Sequence, residues 1–90
     1  MTNRTRTEIM SQILRVATGG DGATKTKIMY SAFLSYGQMK ELMMILTKND
    51  LLSYDLDGQT FKTTEKGLRF LEACNLMNGM IKQPAPSPQQ

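Results

Sequence analysis

The chain has 90 residues, of which 40% are hydrophobic and 21% charged, and this suits one small globular domain with a modest core. Its formal net charge of +3 and its pI of about 9.2 are compatible with a polyanionic partner. No apolar run approaches the roughly 18 residues that span a bilayer, and no signal peptide is recognisable. We therefore expect a cytoplasmic protein with no membrane partner.

The composition also argues against an enzyme. The chain has no histidine, the commonest general base near neutral pH. Its single cysteine, Cys74, can form neither an internal disulfide nor a thiolate metal cage. Gly19, Gly20 and Gly22 follow a predicted helix instead of opening one, so they do not form a phosphate-binding loop. The sequence thus predicts no catalytic residue, cofactor or metal, and it supports no small-molecule ligand.

Two helices are predicted after a flexible arm of residues 1–4. The first begins at residue 5 or 7 and reaches residue 18, because apolar residues recur on one face. The glycine-rich residues 19–22 end it, and Thr24 can cap a second helix over residues 25–32. The apolar stripe of the first helix consists of Ile9, Met10, Ile13, Leu14 and Val16 or Ala17.

A capping box opens a third helix, predicted over residues 36–48. The Ser35 hydroxyl can accept the Gln38 backbone N–H while the Gln38 side chain reaches back to the Ser35 N–H. Leu34 and Met39 are placed to form the accompanying hydrophobic staple. The core face carries Met39, Leu42, Met43 and Leu46, and the opposite face carries Gly37, Lys40, Glu41, Met44 and Lys48, with Tyr36 and Thr47 at one edge.

A hairpin is predicted next, with strands over residues 51–56 and 59–63. Asp57-Gly58 favours a two-residue turn between them. Apolar residues alternate in these strands, which predicts a small wing that leans on the helices. The alternating residues are Leu52, Tyr54, Leu56 and Phe61.

Thr64 can cap a last helix that reaches Lys82, with Leu68 and Leu71 toward the domain. Residues 83–90 contain three prolines and no charge, which predicts a disordered tail.

These elements define a mainly α fold with a small β-hairpin. Three helices, a two-stranded wing and a C-terminal helix are the order of a winged helix-turn-helix. We assign residues 5–64 to this domain and residues 65–82 to the C-terminal helix.

Three segments resemble the small winged helix-turn-helix proteins common in archaea, namely residues 23–30, 34–36 and 64–67. That group includes transcription regulators and chromatin-type proteins that dimerise through a C-terminal helix. The resemblance covers about residues 4–72 of the chain. It implies DNA binding by residues 35–48 as the recognition helix and a homodimer through the last helix.

The last helix departs from the chromatin-type members of that group. It contains Asn75, Asn78 and Gly79 and soon meets Pro84, which disfavours a long coiled coil. We expect a shorter, methionine-rich dimer contact. Its candidate residues are Ala73, Cys74, Leu76, Met77, Met80 and Ile81.

Candidate DNA contacts lie at two helix starts, on the third helix and on the wing. Backbone N–H groups at helix starts favour phosphate. Gln38, Lys40 and Glu41 have the chemistry to contact adenine, guanine and cytosine, and Lys40 is the stronger base-reading candidate because capping occupies Gln38. The full set is Thr24, Lys25, Thr26, Lys27, Ser35, Tyr36, Gly37, Gln38, Lys40, Glu41, Met44, Lys48 and Lys62. Arg4 and Arg6 can add a basic arm.

Two functions from different classes are compatible with these patterns. The first is a homodimeric transcription regulator that inserts residues 36–48 into the major groove of double-stranded DNA. The alternative is a winged-helix module whose third helix and wing bind a protein partner instead of DNA. Glu41, Asp55, Asp57 and the exposed Met44 motivate that alternative.

Overall fold

The computed structural model describes residues 5–80, with side chains described as far as residue 76. The elements follow in the order α1 (Arg6–Val16), α2 (Lys25–Ser31), α3 (Tyr36–Lys48), β1 (Leu52–Asp55), β2 (Thr60–Thr63) and α4 (Glu65–Met80). This confirms the predicted fold: a mostly helical winged helix-turn-helix with one antiparallel hairpin and a C-terminal helix. The predicted arm, tail and helix extension to residue 82 lie outside the described residues.

The caps predicted for the last three helices are confirmed, because Thr24, Ser35 and Thr64 each accept a backbone N–H from three residues further on. The start of α1 had been left open between residues 5 and 7. Thr5, not Thr7, caps α1, because it forms a capping box with Glu8. Thr24 caps α2 by accepting the Lys27 N–H at 3.2 Å. The first two helices end slightly before the predicted residues 18 and 32, because Ala17 and Ala32 serve as C-caps.

The core forms where the inner faces of the helices meet. Ile13, Leu14, Ile28 and Leu46 are fully buried, and each contributes roughly 1.5–3 kcal/mol by leaving water. The predicted inner face of α3 is confirmed, because its buried residues are Met39, Leu42, Met43 and Leu46. α3 therefore presents its opposite face to solvent.

The hairpin turn differs from the prediction. Asp55 pairs with Thr60, so residues 56–59 form a four-residue loop and the predicted two-residue turn at Asp57-Gly58 is wrong. The Asp55 carboxylate accepts the Asp57 N–H at 3.1 Å, and Gln59 takes the left-handed conformation with φ of 54°. These two features close a longer loop. Leu56 is consequently 79% exposed at its tip and does not continue the apolar alternation.

The wing is fixed to the helices by three pairs of groups. Ala23, just before α2, exchanges two backbone hydrogen bonds with Phe61, of 2.7 and 2.8 Å. The Thr63 hydroxyl donates to the Leu14 carbonyl at 2.6 Å, and the Thr63 N–H donates to the Ala17 carbonyl at 3.1 Å. The hairpin thus depends on α1 and α2 for its stability, as an isolated hairpin in water would have to.

α4 packs on the domain through a face that begins with a glycine. Gly67 is buried, and a Cβ there would collide with the Leu51 carbonyl and the Thr63 methyl group. Leu71, one turn further, is buried as predicted. Leu68 was expected to face the domain but is 45% exposed, because it lies about 100° around the helix from Gly67.

Candidate nucleic-acid interface

The outer face of α3 carries most of the predicted DNA-binding residues. Met44 is 54% and Tyr36 57% exposed. The remaining candidates on this helix are also exposed, namely Gly37, Gln38, Lys40, Glu41 and Lys48. The structure therefore brings these side chains together on one surface that the core leaves open.

The start of α3 is fixed by reciprocal hydrogen bonds. The Gln38 N–H donates to the Ser35 hydroxyl at 3.2 Å, and the Ser35 N–H donates to Gln38 Oε1 at 3.1 Å. A bidentate contact with adenine needs both the oxygen and the nitrogen of an amide. Because the Gln38 oxygen is already engaged, Lys40 remains the better placed base-reading candidate.

A shallow, open cleft separates the start of α2 from the wing. It is lined by Thr24, Lys25, Thr26, Tyr54, Gly58, Gln59 and Phe61. The Ala23–Phe61 pair fixes the two walls, and the Tyr54 and Phe61 ring centroids lie 4.7 Å apart. The sequence pointed to the α2 residues but not to Tyr54 or Gln59, since only the tertiary pairing of Ala23 brings the wing to them.

Lys62 lies on the opposite side of the hairpin from this cleft. It pairs with Ser53 and is exposed, whereas its neighbour Phe61 lines the cleft. Consecutive strand residues point to opposite faces. Lys62 is therefore on the other face of the hairpin from the cleft that Lys25 lines, and the exposed Asp55 and Asp57 lie at the wing tip.

Arg6 is part of α1. This differs from the expectation that Arg6 contributes to a basic N-terminal arm. Its Nη2 lies 3.5 Å from Oε2 of Glu41 in the middle of α3. Both side chains remain more than half exposed. Sequence reasoning missed this ion pair, because its partners are 35 positions apart and no local pattern joins them.

The predicted dimer residues differ in their surroundings. Ala73 is exposed and Leu76 is 63% exposed. Cys74 is half-buried against α1, where the buried Ser11 hydroxyl lies 3.4 Å from its sulfur. Arg15 continues this α1–α4 contact by donating to the Asn75 side chain at 3.2 Å. The side chains of Met77 and Met80, and all of Ile81, lie outside the described part of the chain.

Among residues 5–80 there is no group of three or more metal-ligating His, Cys, Asp or Glu side chains. No helix of the described segment is long and apolar enough to cross a membrane.

The solvent-facing α3 and the wing beside it are the defining parts of a winged helix-turn-helix. A family model for the winged helix-turn-helix matches residues 3–82, and the chain belongs to this family. Domains of this family commonly bind DNA and are typically non-catalytic. A comparison with curated proteins found no match.

Proposed function

We propose that this protein is a homodimeric, DNA-binding transcription regulator that inserts α3 into the major groove. The observation that carries the proposal is the two-sided character of α3. Met39, Leu42, Met43 and Leu46 anchor the helix in the core, while its outer face is left to solvent with Lys40 and Lys48 on it. A helix held in this way can present side chains to base edges without disturbing the domain.

Positioning contacts would come from the elements around α3. The N-terminal N–H groups of α3 favour phosphate, and the exposed ammonium groups of Lys25 and Lys27 can neutralise further phosphates. Gly37 has open space where a Cβ would be, so a sugar-phosphate backbone can approach closely there. Lys40 is the proposed base-reading cation.

The proposed dimer interface begins where α1 stops covering α4. The described contacts of α1 with α4 reach Asn75, and the next residue, Leu76, is 63% exposed. An exposed leucine at the start of an apolar helix end favours a second copy of the same surface. A two-fold dimer would place two α3 helices for a palindromic site.

A second candidate function is supported by the wing tip and by Met44. Leu56 is 79% exposed between Asp55 and Asp57, whose carboxylates repel phosphate. Met44 adds exposed apolar surface to α3. These features suit a winged-helix module that binds a protein partner.

Titration of a fluorescent duplex at two salt concentrations separates these functions. For DNA binding we expect affinity to fall with salt by about one unit of slope per phosphate contact. Replacing Lys25 and Lys27 by alanine should lower that slope. Replacing Arg15 and Arg69 by alanine removes two cations that lie away from α3, and this should not lower the slope. Absence of binding at low salt, or affinity independent of salt, would exclude the regulator.

The dimer is tested by sedimentation with two matched variants of α4. Leu76→Lys should give a folded monomer, because a lysine ammonium cannot be buried against a second copy without a large desolvation cost. Leu68→Lys changes another exposed leucine of the same helix, outside the proposed interface, and should remain dimeric. A wild-type protein that is monomeric at micromolar concentration would contradict the dimer.

A further inference from the structure

An ion pair between Arg6 and Glu41 joins α1 to α3. Arg6 belongs to the first turn of α1, and Glu41 lies on the exposed face of α3 that we propose enters DNA. The two charged groups are 3.5 Å apart. Between described residues the other ion pair, Arg69–Glu65, joins neighbouring turns of α4. The Arg6–Glu41 pair therefore differs in linking two separate helices.

Glu41 has no cation beside it within α3 itself. Residues three or four positions away are the ones that face a given helical residue. For Glu41 these are Gly37, Gln38, Met44 and Ile45, all uncharged. Lys40, the next residue in sequence, points about 100° away around the helix. Arg6 therefore supplies from α1 a positive charge that the neighbouring turns of α3 do not.

An unpaired carboxylate on this face would be repelled by phosphates on both sides of a groove. Pairing with Arg6 offsets that repulsion and restricts the orientation of the Glu41 side chain. The contact with Arg6 involves Oε2 of Glu41, and a carboxylate has a second oxygen that can accept further hydrogen bonds. Glu41 can thus stay on a DNA-binding surface and still offer an acceptor.

We propose that Glu41 reads a cytosine in the major groove and that Arg6 is the positioning residue that holds its carboxylate for this contact. This inference rests on the proposed DNA-binding function. Cytosine presents an N4 amino donor there, which a carboxylate can accept. Adenine also presents an amino group, but its N7 acceptor lies beside that group and repels a carboxylate. Guanine and thymine present acceptors to the same oxygen. Cytosine is the base that fits.

The test combines selection of binding sites from a random duplex library with a double-mutant cycle. The proteins are wild type, Glu41→Gln, Arg6→Gln and the double variant. Arg15→Gln is the control, because it removes an α1 cation whose side chain contacts Asn75 instead of α3. Thermal unfolding of each variant verifies that it is folded, and we expect small changes since Arg6 and Glu41 are exposed.

We expect wild-type sites to contain a cytosine whose replacement by thymine lowers affinity about 5- to 100-fold. Glu41→Gln should lose that preference or shift it toward adenine. Arg6→Gln should weaken binding to the cytosine site about 2- to 5-fold more than Arg15→Gln does. In the Glu41→Gln background this extra loss should disappear.

Three outcomes would contradict different parts of this proposal. If Arg6→Gln lowers affinity equally in the wild-type and Glu41→Gln proteins, Arg6 contacts phosphate directly. That result would overturn its positioning role. Selected sites with no base that depends on Glu41 would overturn the reading role. If no duplex binds the wild type even at low salt, the proposed DNA-binding function itself fails.

Discussion

Replacing Ser35 by alanine tests how the start of α3 is built. The Ser35 hydroxyl accepts the Gln38 N–H at 3.2 Å, and this bond is lost in the variant. The reciprocal bond from the Ser35 N–H to the Gln38 side chain, at 3.1 Å, uses the backbone and can persist. The variant therefore removes one of the two bonds of the capping box and leaves one helix donor without its partner.

The expected cost is about 1 kcal/mol of unfolding free energy, the usual effect of removing a helix N-cap side chain. In a domain of this size, that lowers the melting temperature by roughly 4–8 °C. Thr5→Ala removes the matching hydroxyl from the capping box of α1 and should cost a similar amount. The two variants thus form a pair with equal local chemistry at different helices.

Thermal unfolding and duplex titration should separate the two helices. Both variants should melt lower, but Ser35→Ala should weaken DNA binding more than Thr5→Ala does, under conditions where the protein is folded. Ser35→Asp keeps a capping oxygen but places a carboxylate beside the proposed phosphate contact, so stability should persist while affinity falls. Unchanged melting of Ser35→Ala would refute the capping argument. Equal losses of affinity for Ser35→Ala and Thr5→Ala would refute the anchor at α3.

Four further substitutions test the surfaces of α2 and α3 and the packing of α4. Gly37→Ala meets open space inside a helix, so it should stabilise the fold by up to about 1 kcal/mol while weakening binding if the backbone of DNA approaches there. Gly67→Ala should destabilise by about 1–3 kcal/mol, measured by denaturant unfolding, because its Cβ would collide with backbone. Lys40→Ala should relax sequence preference, whereas Lys25→Ala should weaken all duplexes alike and lower the salt slope. Equal effects of the two lysine variants on every duplex would remove Lys40 from base reading.

The boundaries of α3 could be predicted from the sequence because each signal for it is local. The capping box lies within four residues, and the apolar period repeats along the helix itself. The buried residues of α3 are those that the period selects. Local signals of this kind are sufficient when one element is both strongly capped and strongly amphipathic.

The wing shows where local signals fail. Asp57-Gly58 indicated a turn, but strand register is also set by bonds to other elements, as the pairing of Phe61 with Ala23 shows. The Asp55 side chain then closes a longer loop than the dipeptide alone favours. The prediction that Leu68 faces the domain failed for a similar reason. The buried side of α4 is the one on which Gly67 approaches the hairpin, and this contact is tertiary.

The candidate site was predictable only in part. The α3 residues could be found from one helical period, whereas the cleft beside α2 and the Arg6–Glu41 pair need the tertiary fold. From the sequence, Glu41 was both a candidate contact for cytosine and a reason to consider a protein partner. The structure changes that reasoning, because it places a guanidinium from α1 beside the carboxylate.

The two ends of α3 are held by different parts of the chain, and this bears on the proposed dimer. Its start depends on the capping box of Ser35. At its other end, Lys66 of α4 donates to the Asn49 carbonyl at 3.0 Å, and the Thr64 hydroxyl donates to the Asp50 carbonyl at 2.6 Å. The helix that we propose as the dimer contact thus begins at the C-terminal end of the helix that we propose reads DNA.

This connection gives the proposed dimer a mechanical consequence. If two α4 helices pack about a two-fold axis, the bonds of Lys66 and Thr64 carry that geometry directly to the ends of the two α3 helices. The spacing of the half-sites would then be set by α4 rather than by a flexible linker. Removing the Lys66 ammonium should therefore widen the range of half-site spacings that the dimer binds. Affinity for a single half-site should change less. Binding to duplexes with altered spacing measures this, and an unchanged spacing preference in Lys66→Met would show that α4 does not position α3.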